Sequence, residues 1–367
     1  MLLLTLPILI PLIAASACLV VWNRPRTQAG IAVASTVAVA ATAARLVHTV
    51  TVEGVIATQV GGWDAPFGIT LVADRLSAFL ICLVSVAGLA VTVASLGVTD
   101  SERARHGHYP LVLALLAAVS GAFLAGDLFN LYVWFEALLL SSFVLLTLGG
   151  ERAQLEGAVK YVTLNLVSSI FFLSSVGLLY GITGTLNFAH LALRIDALSD
   201  PTMAIAAGTL LLSAFAVKAA AFPFFFWLPA SYHTPPPVVS ALFAAVLTKV
   251  GVYSLIRVGT LLYDDAWHLM GPVLLVMAGL TMVVGVLGAA TQMDMRRILA
   301  FHSVSQVGYM LMGLAIAMTA LAAARTQGLE DSVTAEASAD AAVAGSDFVP
   351  VTAGLDLPRG ALLALAG

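Results

Sequence analysis

Long apolar runs follow one another along this chain with almost nothing between them. About 20 mostly apolar residues carry an α-helix across the hydrocarbon of a bilayer. About ten such runs are present, over residues 1–22, 29–50, 75–97, 109–126, 128–149, 157–183, 202–222, 238–261, 270–291 and 297–318. Several breaks between them are short, among them Asn23 to Arg26, Gly149 to Glu156 and Asp294 to Arg297. Short breaks make consecutive helices antiparallel neighbours, so the expected fold is an all-α polytopic membrane helix bundle. Composition agrees: 60% of the residues are hydrophobic and 10% charged, whereas a soluble domain carries about 25% charged residues. Too little charge remains to cover a water-soluble globule.

Whole function classes fall away at once. No basic stripe exists for nucleic acid. Cys18 and Cys82 both lie in apolar runs, which excludes a disulfide framework and a cysteine metal cluster. No phosphate-binding glycine loop, nucleophile elbow, paired catalytic carboxylates or HExxH motif occurs. Neither an enzyme active site nor a cofactor site is expected. The first run lacks the basic lead-in of a secretory signal. The small residues before Cys18 resemble a lipoprotein cleavage site, but further membrane helices follow directly.

Orientation follows from Lys and Arg near helix ends. With the N-terminus outside, Arg24, Arg26, Arg103, Arg105, Arg152, Lys160, Arg296 and Arg297 fall in short inner breaks. The outer breaks hold fewer basic residues, spread more thinly, and most of the acids, including Glu53, Asp64 and Asp74.

Three charges do not belong to any break. Lys218 and Lys249 lie inside apolar runs, and so does Glu136 in Leu131-Tyr-Val-Trp-Phe-Glu136-Ala-Leu-Leu-Leu140. Glu136 stands roughly 12 Å into its helix at 1.5 Å per residue. Each such charge costs about 2.5–3.5 kcal/mol on insertion, so three cost on the order of 8–10 kcal/mol. They must be paired, hydrated or neutralised. A proton or ion path is the functional reading, and a structural Glu–Lys pair is the bland one. Two lysines to one glutamate leave a surplus cation, which suits the first reading better.

Lys218 also precedes Phe222-Pro223-Phe224, Leu228-Pro229 and His233-Thr-Pro-Pro-Pro237. Proline removes a backbone donor and clashes with the preceding turn, so a broken helix is expected near 222–232. Broken helices at membrane depth are tolerated where they line a cavity, and transporters place ion sites there. The alternative is a helix that simply ends at Pro223. The proline run suits the first turn of the next helix. The run 157–183 carries Lys160 and Ser169 among its polar residues, and Tyr161, Asn165, Ser168, Phe172 and Ser175 share one face. That face could line a water path or glue helices together. Asp127 reads most simply as an N-cap. His302, with Ser303, Ser305 and Gln306 near it, is either a proton relay or a structural histidine.

These residues sit in five ordered motifs: Gly126-Asp-Leu-Phe-Asn-Leu-Tyr-Val-Trp-Phe-Glu136, Val217-Lys218-Ala-Ala-Ala-Phe-Pro-Phe224, His233-Thr-Pro-Pro-Pro-Val-Val-Ser-Ala-Leu242, Leu247-Thr-Lys249-Val-Gly-Val-Tyr253 and Asp294-Met-Arg-Arg-Ile-Leu-Ala-Phe-His302-Ser-Val-Ser-Gln-Val-Gly-Tyr309. They resemble the antiporter-like, proton-conducting subunits shared by Mrp (Mnh) multisubunit Na⁺(K⁺)/H⁺ antiporters and respiratory complex I. The Gly-Asp-Leu-Phe-Asn lead-in and Gly184-Thr-Leu-Asn-Phe-Ala-His190 look most like the D-type branch of the antiporter subunits.

The resemblance, over about 1–318, implies two inverted five-helix repeats, each with a broken helix. It further implies a secondary-transporter subunit in a bacterial inner membrane, crossing many times and working beside other antiporter subunits. The transported species would be protons and Na⁺ or K⁺. Residues 1–97 would be N-terminal helices, 98–261 a complete first repeat and 262–318 the start of a second. Proton transfer would run through Glu136, Lys218, Lys249 and His302, with movement of Glu136 deciding whether Lys218 holds its proton. The other readings are a proton-pumping membrane subunit of complex I or of a membrane-bound hydrogenase, and a non-transporting scaffold.

Two departures from the family pattern stand out. Residues 319–358 are Ala-rich and acidic, a composition that favours disorder. Residues 359–367 turn apolar again, as if opening a further helix. The second repeat would then be truncated, without its own broken helix and lysine, and residues 1–367, expressed with the other subunits but without a continuation beyond Gly367, are expected to support little or no antiport.

Overall fold

The computed structural model describes residues 2–99, 101–263 and 267–326. Thirteen α-helices follow in chain order among them: α1 (Leu2–Val20), α2 (Pro25–Glu53), α3 (Arg75–Val98), α4 (Ser101–Arg105), α5 (His108–Leu124), α6 (Leu128–Thr147), α7 (Arg152–Thr183), α8 (Phe188–Asp196), α9 (Thr202–Ala219), α10 (Trp227–Tyr232), α11 (Pro237–Leu262), α12 (Trp267–Ala290) and α13 (Met295–Thr326). Nine of the described helices are long and apolar enough to cross a membrane, and α5 is a shorter apolar tenth. The expected membrane bundle is therefore present, with its helices where the apolar runs fall.

Local chemistry explains the helix starts. Pro25 and Pro237 occupy the first turns of α2 and α11, where a missing N–H leaves no bond unmade. Asp74 caps α3 in a reciprocal box with Ser77, and the Asp127 carboxylate accepts from the Asn130 N–H at 2.6 Å to start α6. The central post of the bundle is α5, almost all of whose residues are buried among α1, α2, α3, α6 and α11. Helix α7 lies against both α6 and α9, and α11 packs on α9. The pair α12 and α13 lie mainly on each other, brought close by Gly285, where a Cβ would fall 2.5 Å from the Ser305 backbone nitrogen.

Some features differ from the sequence expectation. An antiparallel hairpin of β1 (Ile56–Gln59) and β2 (Thr70–Ala73) joins α2 to α3, with Ile56 opposite Ala73 and Gln59 opposite Thr70. The strands are only four residues long, too short to register against the helical pattern around them. Helix α13 continues past 318 to Thr326, because the Thr-Ala-Leu-Ala-Ala-Ala stretch that opens the Ala-rich segment is good helix-forming sequence. The rest of 319–358, and 359–367, lie outside the described residues.

The break that follows Lys218 begins earlier than the prolines suggest. Helix α9 ends at Ala219, and Ala220 turns left-handed at φ 60°. The Ala221 N–H donates to the Ala216 carbonyl at 2.9 Å and the Ala220 N–H to that of Val217 at 3.1 Å. This is the bond pattern that ends many helices, normally with glycine at the left-handed position. Irregular backbone runs over 220–226, and α10 resumes the helical path. The interruption is thus at 220–226, and 227–232 is the resumed half. The Phe222 N–H finds Thr281 Oγ1 of α12 at 2.8 Å, and Trp227 Nε1 donates to the Val217 carbonyl at 2.9 Å.

A left-handed L-residue costs about 1–2 kcal/mol, which glycine avoids. Ala220→Gly is therefore expected to raise thermal stability in detergent, and Ala220→Val to lower it; the reverse order in melting temperature would contradict this backbone. Helix alternation puts Arg103, with Glu151 at 3.4 Å, at the opposite end of the bundle from the β1–β2 hairpin. A single cysteine at 103 should react with impermeant reagent only from the cytoplasmic side, and one at 64 only from outside.

Candidate functional site

The three helices α6, α7 and α9 each bring one polar side chain to a common point. From α6 comes Glu136, half-buried, one turn after Tyr132. From the last turn of α9 comes Lys218, 4% exposed. From α7, which lies against both, comes Ser169. The Ser169 hydroxyl is 2.5 Å from Glu136 Oε1, and Lys218 Nζ donates to Ser169 Oγ at 3.4 Å. The same hydroxyl lies 3.0 Å from the Asn165 carbonyl one turn back. Ion pairs among the described residues include Arg103–Glu151, Lys160–Glu156 and Arg257–Asp74, and none joins Glu136 directly to Lys218. Glu136 and Lys218 therefore face each other through a hydroxyl rather than in direct contact.

The surroundings of Lys218 are aromatic. Its Nζ stands 5.3 Å from the centroid of the Phe135 ring, a cation–π approach. Phe135 packs on Phe172 and Phe215 at centroid distances of 5.8 and 5.9 Å, and all three rings are fully buried. A low-dielectric wall of this kind strengthens any charge–charge interaction beside it. Placement in the last turn also sets the ammonium near the negative end of the α9 dipole. Gly251 of α11 makes that corner possible: a Cβ there would fall 2.6 Å from the Ala219 nitrogen and 2.9 Å from the Lys218 carbonyl carbon.

The other two residues singled out in the sequence stand apart from this trio. Lys249 Nζ folds back along α11 to the Ala244 carbonyl at 2.6 Å. Ala244 lines a cavity of about 190 Å³ with Tyr232, Ser240, Arg296 and Ser303, at the end of α11 where Arg296 also reaches the Pro235 carbonyl. His302 is exposed on α13, its Nε2 3.2 Å from the Gln306 amide nitrogen.

The polar face of α7 divides. Ser168 and Ser175 donate to the Ala214 and Ala207 carbonyls of α9 at 2.7 and 2.8 Å, and Tyr161 pairs with Ser142 of α6 at 2.6 Å. These bonds join helices. Ser169 is the residue of α7 that turns to the charged pair, and sequence reasoning gave it no role beyond being polar. It sits one position from the face defined by 161, 165, 168 and 175, which is signal enough only once the partners are known. Among the described residues, no group of three His, Cys, Asp or Glu side chains could hold a metal ion.

A second charged cluster joins the start of α3 to the last turns of α11. Both terminal Arg257 nitrogens reach Asp74 at 2.6 Å, Nη1 to Oδ2 and Nη2 to Oδ1. Arg257 Nε donates to the Tyr253 hydroxyl at 2.8 Å, which donates to the Phe123 carbonyl at 2.8 Å. This clamp ties α11 to α3 and α5 and fixes the helix that carries Lys249.

Comparison with known proteins gives a consistent set. Residues 125–330 match the family described as NADH:quinone oxidoreductase/Mrp antiporter, transmembrane, a range that includes Glu136, Lys218, Lys249 and His302. The chain is 42% identical to the D-type subunit of the Na⁺/H⁺ antiporter of Alkalihalophilus pseudofirmus over 311 residues, covering 85% of this chain and 63% of that protein. It is 39% identical to the corresponding Na⁺/H⁺ antiporter protein of Bacillus subtilis, with the same two coverages. The chain thus spans a little under two thirds of the length of these relatives. Its fold matches a chain of the Mrp complex from Dietzia sp. with TM-score 0.79 and 34% identity, over 85% of this chain and 58% of that one. A chain of the membrane-bound sulfane sulfur reductase, an archaeal respiratory membrane complex, matches with TM-score 0.80 and 30% identity, over 85% of this chain and 64% of that one.

The clamp has a pH signature. Burial pushes the Asp74 carboxyl up, but the Arg257 guanidinium and the Ser77 cap bonds outweigh it and hold the group below the usual carboxylate range. A lowered folded-state value contributes stability that is fully present above the unfolded value, about 3.9, and is lost as pH falls through the folded one. Asp74→Asn should lower the melting temperature at pH 7, by less than the roughly 3 kcal/mol of a fully buried pair, because both side chains are only partly buried. The gap to the parent should narrow below about pH 4; a gap independent of pH would show that the pair contributes nothing as an ion pair.

Proposed function

The chain belongs to the NADH:quinone oxidoreductase/Mrp antiporter transmembrane family, and from that premise we propose that it is a proton-conducting subunit of a multisubunit Na⁺ or K⁺/H⁺ antiporter of the bacterial inner membrane. The observation that carries this reading is the bridged pair. Glu136 and Lys218 are opposite charges, set inside the bundle on different helices and linked through one hydroxyl, and one of them sits where its helix breaks. A purely structural pair would gain most from direct contact.

The chemistry follows from how charge behaves in a dry site. Burial disfavours a charged group and a nearby opposite charge favours it. With the Glu136 carboxylate held close, Lys218 carries its proton. When Glu136 is neutralised or drawn away, the ammonium is left against the Phe135 ring with little compensation, and the proton leaves. Irregular backbone at 220–226 gives α9 a joint at that point, so a small displacement of Lys218 does not require the whole helix to move. In the proposed path Lys249 receives the proton next, with His302 further along on α13. Helices from 98 to 261 form one antiporter-like repeat on this reading, and those from 262 onward open a second. Na⁺ or K⁺ movement is coupled through partner subunits of the same complex.

A second reading has an observation in its favour. The likeness to a chain of an archaeal respiratory membrane complex fits a proton pump that a redox partner drives. Genes for small antiporter subunits beside this one favour the first reading, and genes for iron–sulfur proteins the second.

Lys218→Ala and Glu136→Ala, each in the assembled complex, should lower cation-dependent proton flux in vesicles to the background of membranes lacking the complex. Both variants should remain in the membrane in parental amount. Parental flux in both would return the pair to a structural role.

A further inference from the structure

We propose that the Ser169 hydroxyl is the relay through which the proton passes between Lys218 and Glu136, and that its rotation connects and disconnects the two. The proposal deepens the reading above and rests on it.

A serine hydroxyl has one proton to donate and two lone pairs to accept with. Ser169 has three polar neighbours: Glu136 Oε1 at 2.5 Å, the Asn165 carbonyl at 3.0 Å and Lys218 Nζ at 3.4 Å. A lysine ammonium can only donate, so Lys218 fixes Ser169 as acceptor on that side. The single Ser169 proton must then choose between Glu136 and Asn165, because both are acceptors when Glu136 is ionised. The distances favour Glu136, and 2.5 Å lies in the range of a hydroxyl bonded to a carboxylate. In that orientation the chain Lys218 Nζ–H, Ser169 Oγ–H, Glu136 Oε1 is continuous.

The transfer balances along this chain. The Lys218 N–H bond breaks as a new O–H bond forms on Ser169. The original Ser169 O–H bond breaks as its proton joins Glu136 Oε1. Ammonium and carboxylate become amine and carboxylic acid, and Ser169 is returned unchanged with its proton exchanged. Net charge is conserved in this step, and its reverse, from the protonated Glu136 through Ser169 to the Lys218 amine, is the step that loads Lys218 for onward transfer to Lys249.

The second acceptor gives the relay its other state. Once Glu136 is neutral, its pull on the Ser169 proton weakens, and the hydroxyl can turn back to the Asn165 carbonyl, a bond that helical serines often make. The chain to Glu136 is then open. Packing supports a defined rotor rather than a loose one: Ser168 is tied to the Ala214 carbonyl of α9 on one side, and Phe172 is locked against Phe135 and Phe215 on the other. Residue 169 therefore has a fixed backbone and a side chain with two positions for one proton.

The experiment compares cation-dependent proton flux in vesicles carrying the assembled complex with Ser169→Ala, Ser169→Thr, Glu136→Ala and Lys218→Ala. Ser169→Ala removes the relay and is expected to lower flux by about a hundredfold, in the range of positioned proton-transfer groups, while the complex assembles normally. Ser169→Thr keeps a hydroxyl and should recover most of the rate, which a merely space-filling role for Ser169 would not require. If the alanine variant does not assemble, Ser169→Cys replaces it, since a thiol fills the site but donates weakly. Parental flux in the hydroxyl-free variant, with Glu136→Ala and Lys218→Ala inactive, overturns the relay and leaves the functional reading standing. So does a threonine variant that assembles but is as slow as alanine. Parental flux in all four variants overturns the functional reading itself.

Discussion

Inside hydrocarbon every peptide N–H and C=O must find a partner within the protein, and this condition governs how the chain can present a charge at membrane depth. Helices meet it automatically. Segment 220–226 meets it by other means: two bonds back to the Ala216 and Val217 carbonyls, an indole N–H on Val217 and a threonine hydroxyl under Phe222. Because these partners come from α10 and α12 as well as from α9 itself, the break exists only as part of the assembled bundle. Lys218 occupies the last turn before it, where the helix dipole favours a cation and where the helix has a joint.

The rest of the site follows from that position. An ammonium at the end of α9 needs a counter-charge, and α7 separates α9 from Glu136 on α6 by the width of one serine. A direct ion pair would be a static link. An intervening hydroxyl keeps the two charges coupled but separable, and the aromatic wall of Phe135, Phe172 and Phe215 keeps that coupling strong by keeping the dielectric low. The clamp of Asp74, Arg257 and Tyr253 works at the other end of α11. It holds the helix whose Gly251 presses on the backbone of Lys218 and Ala219, so the joint has one firm neighbour.

Lys249 and His302 show how differently half-buried and exposed polar groups settle. Lys249 bends back along its own helix to a carbonyl beside the Arg296-lined cavity, as long basic side chains do when they reach for a polar zone. His302 faces outward on α13, one of the two helices that pack mainly on each other.

Periodicity and composition alone determined the number and placement of the long apolar helices, though not of the short α4 and α8, because spanning a bilayer demands about 20 apolar residues and little else. They also isolated Glu136, Lys218 and Lys249, because a charge in hydrocarbon is expensive enough to be conspicuous in a string of letters. The proline cluster signalled a broken helix, though its start two residues upstream depended on Ala220 taking a left-handed conformation that nothing in an alanine announces. What only the tertiary structure decided is which polar groups meet. Serines on α7 are equivalent in sequence, and Ser168, Ser169 and Ser175 differ only in the helix each one faces. The Asp74–Arg257 pair joins residues far apart in the chain, each of which reads as an ordinary helix-end charge. Helical spacing says which residues share a face, but the neighbour that covers that face is set by packing between helices, and a hydroxyl becomes a bridge or a bolt according to that neighbour.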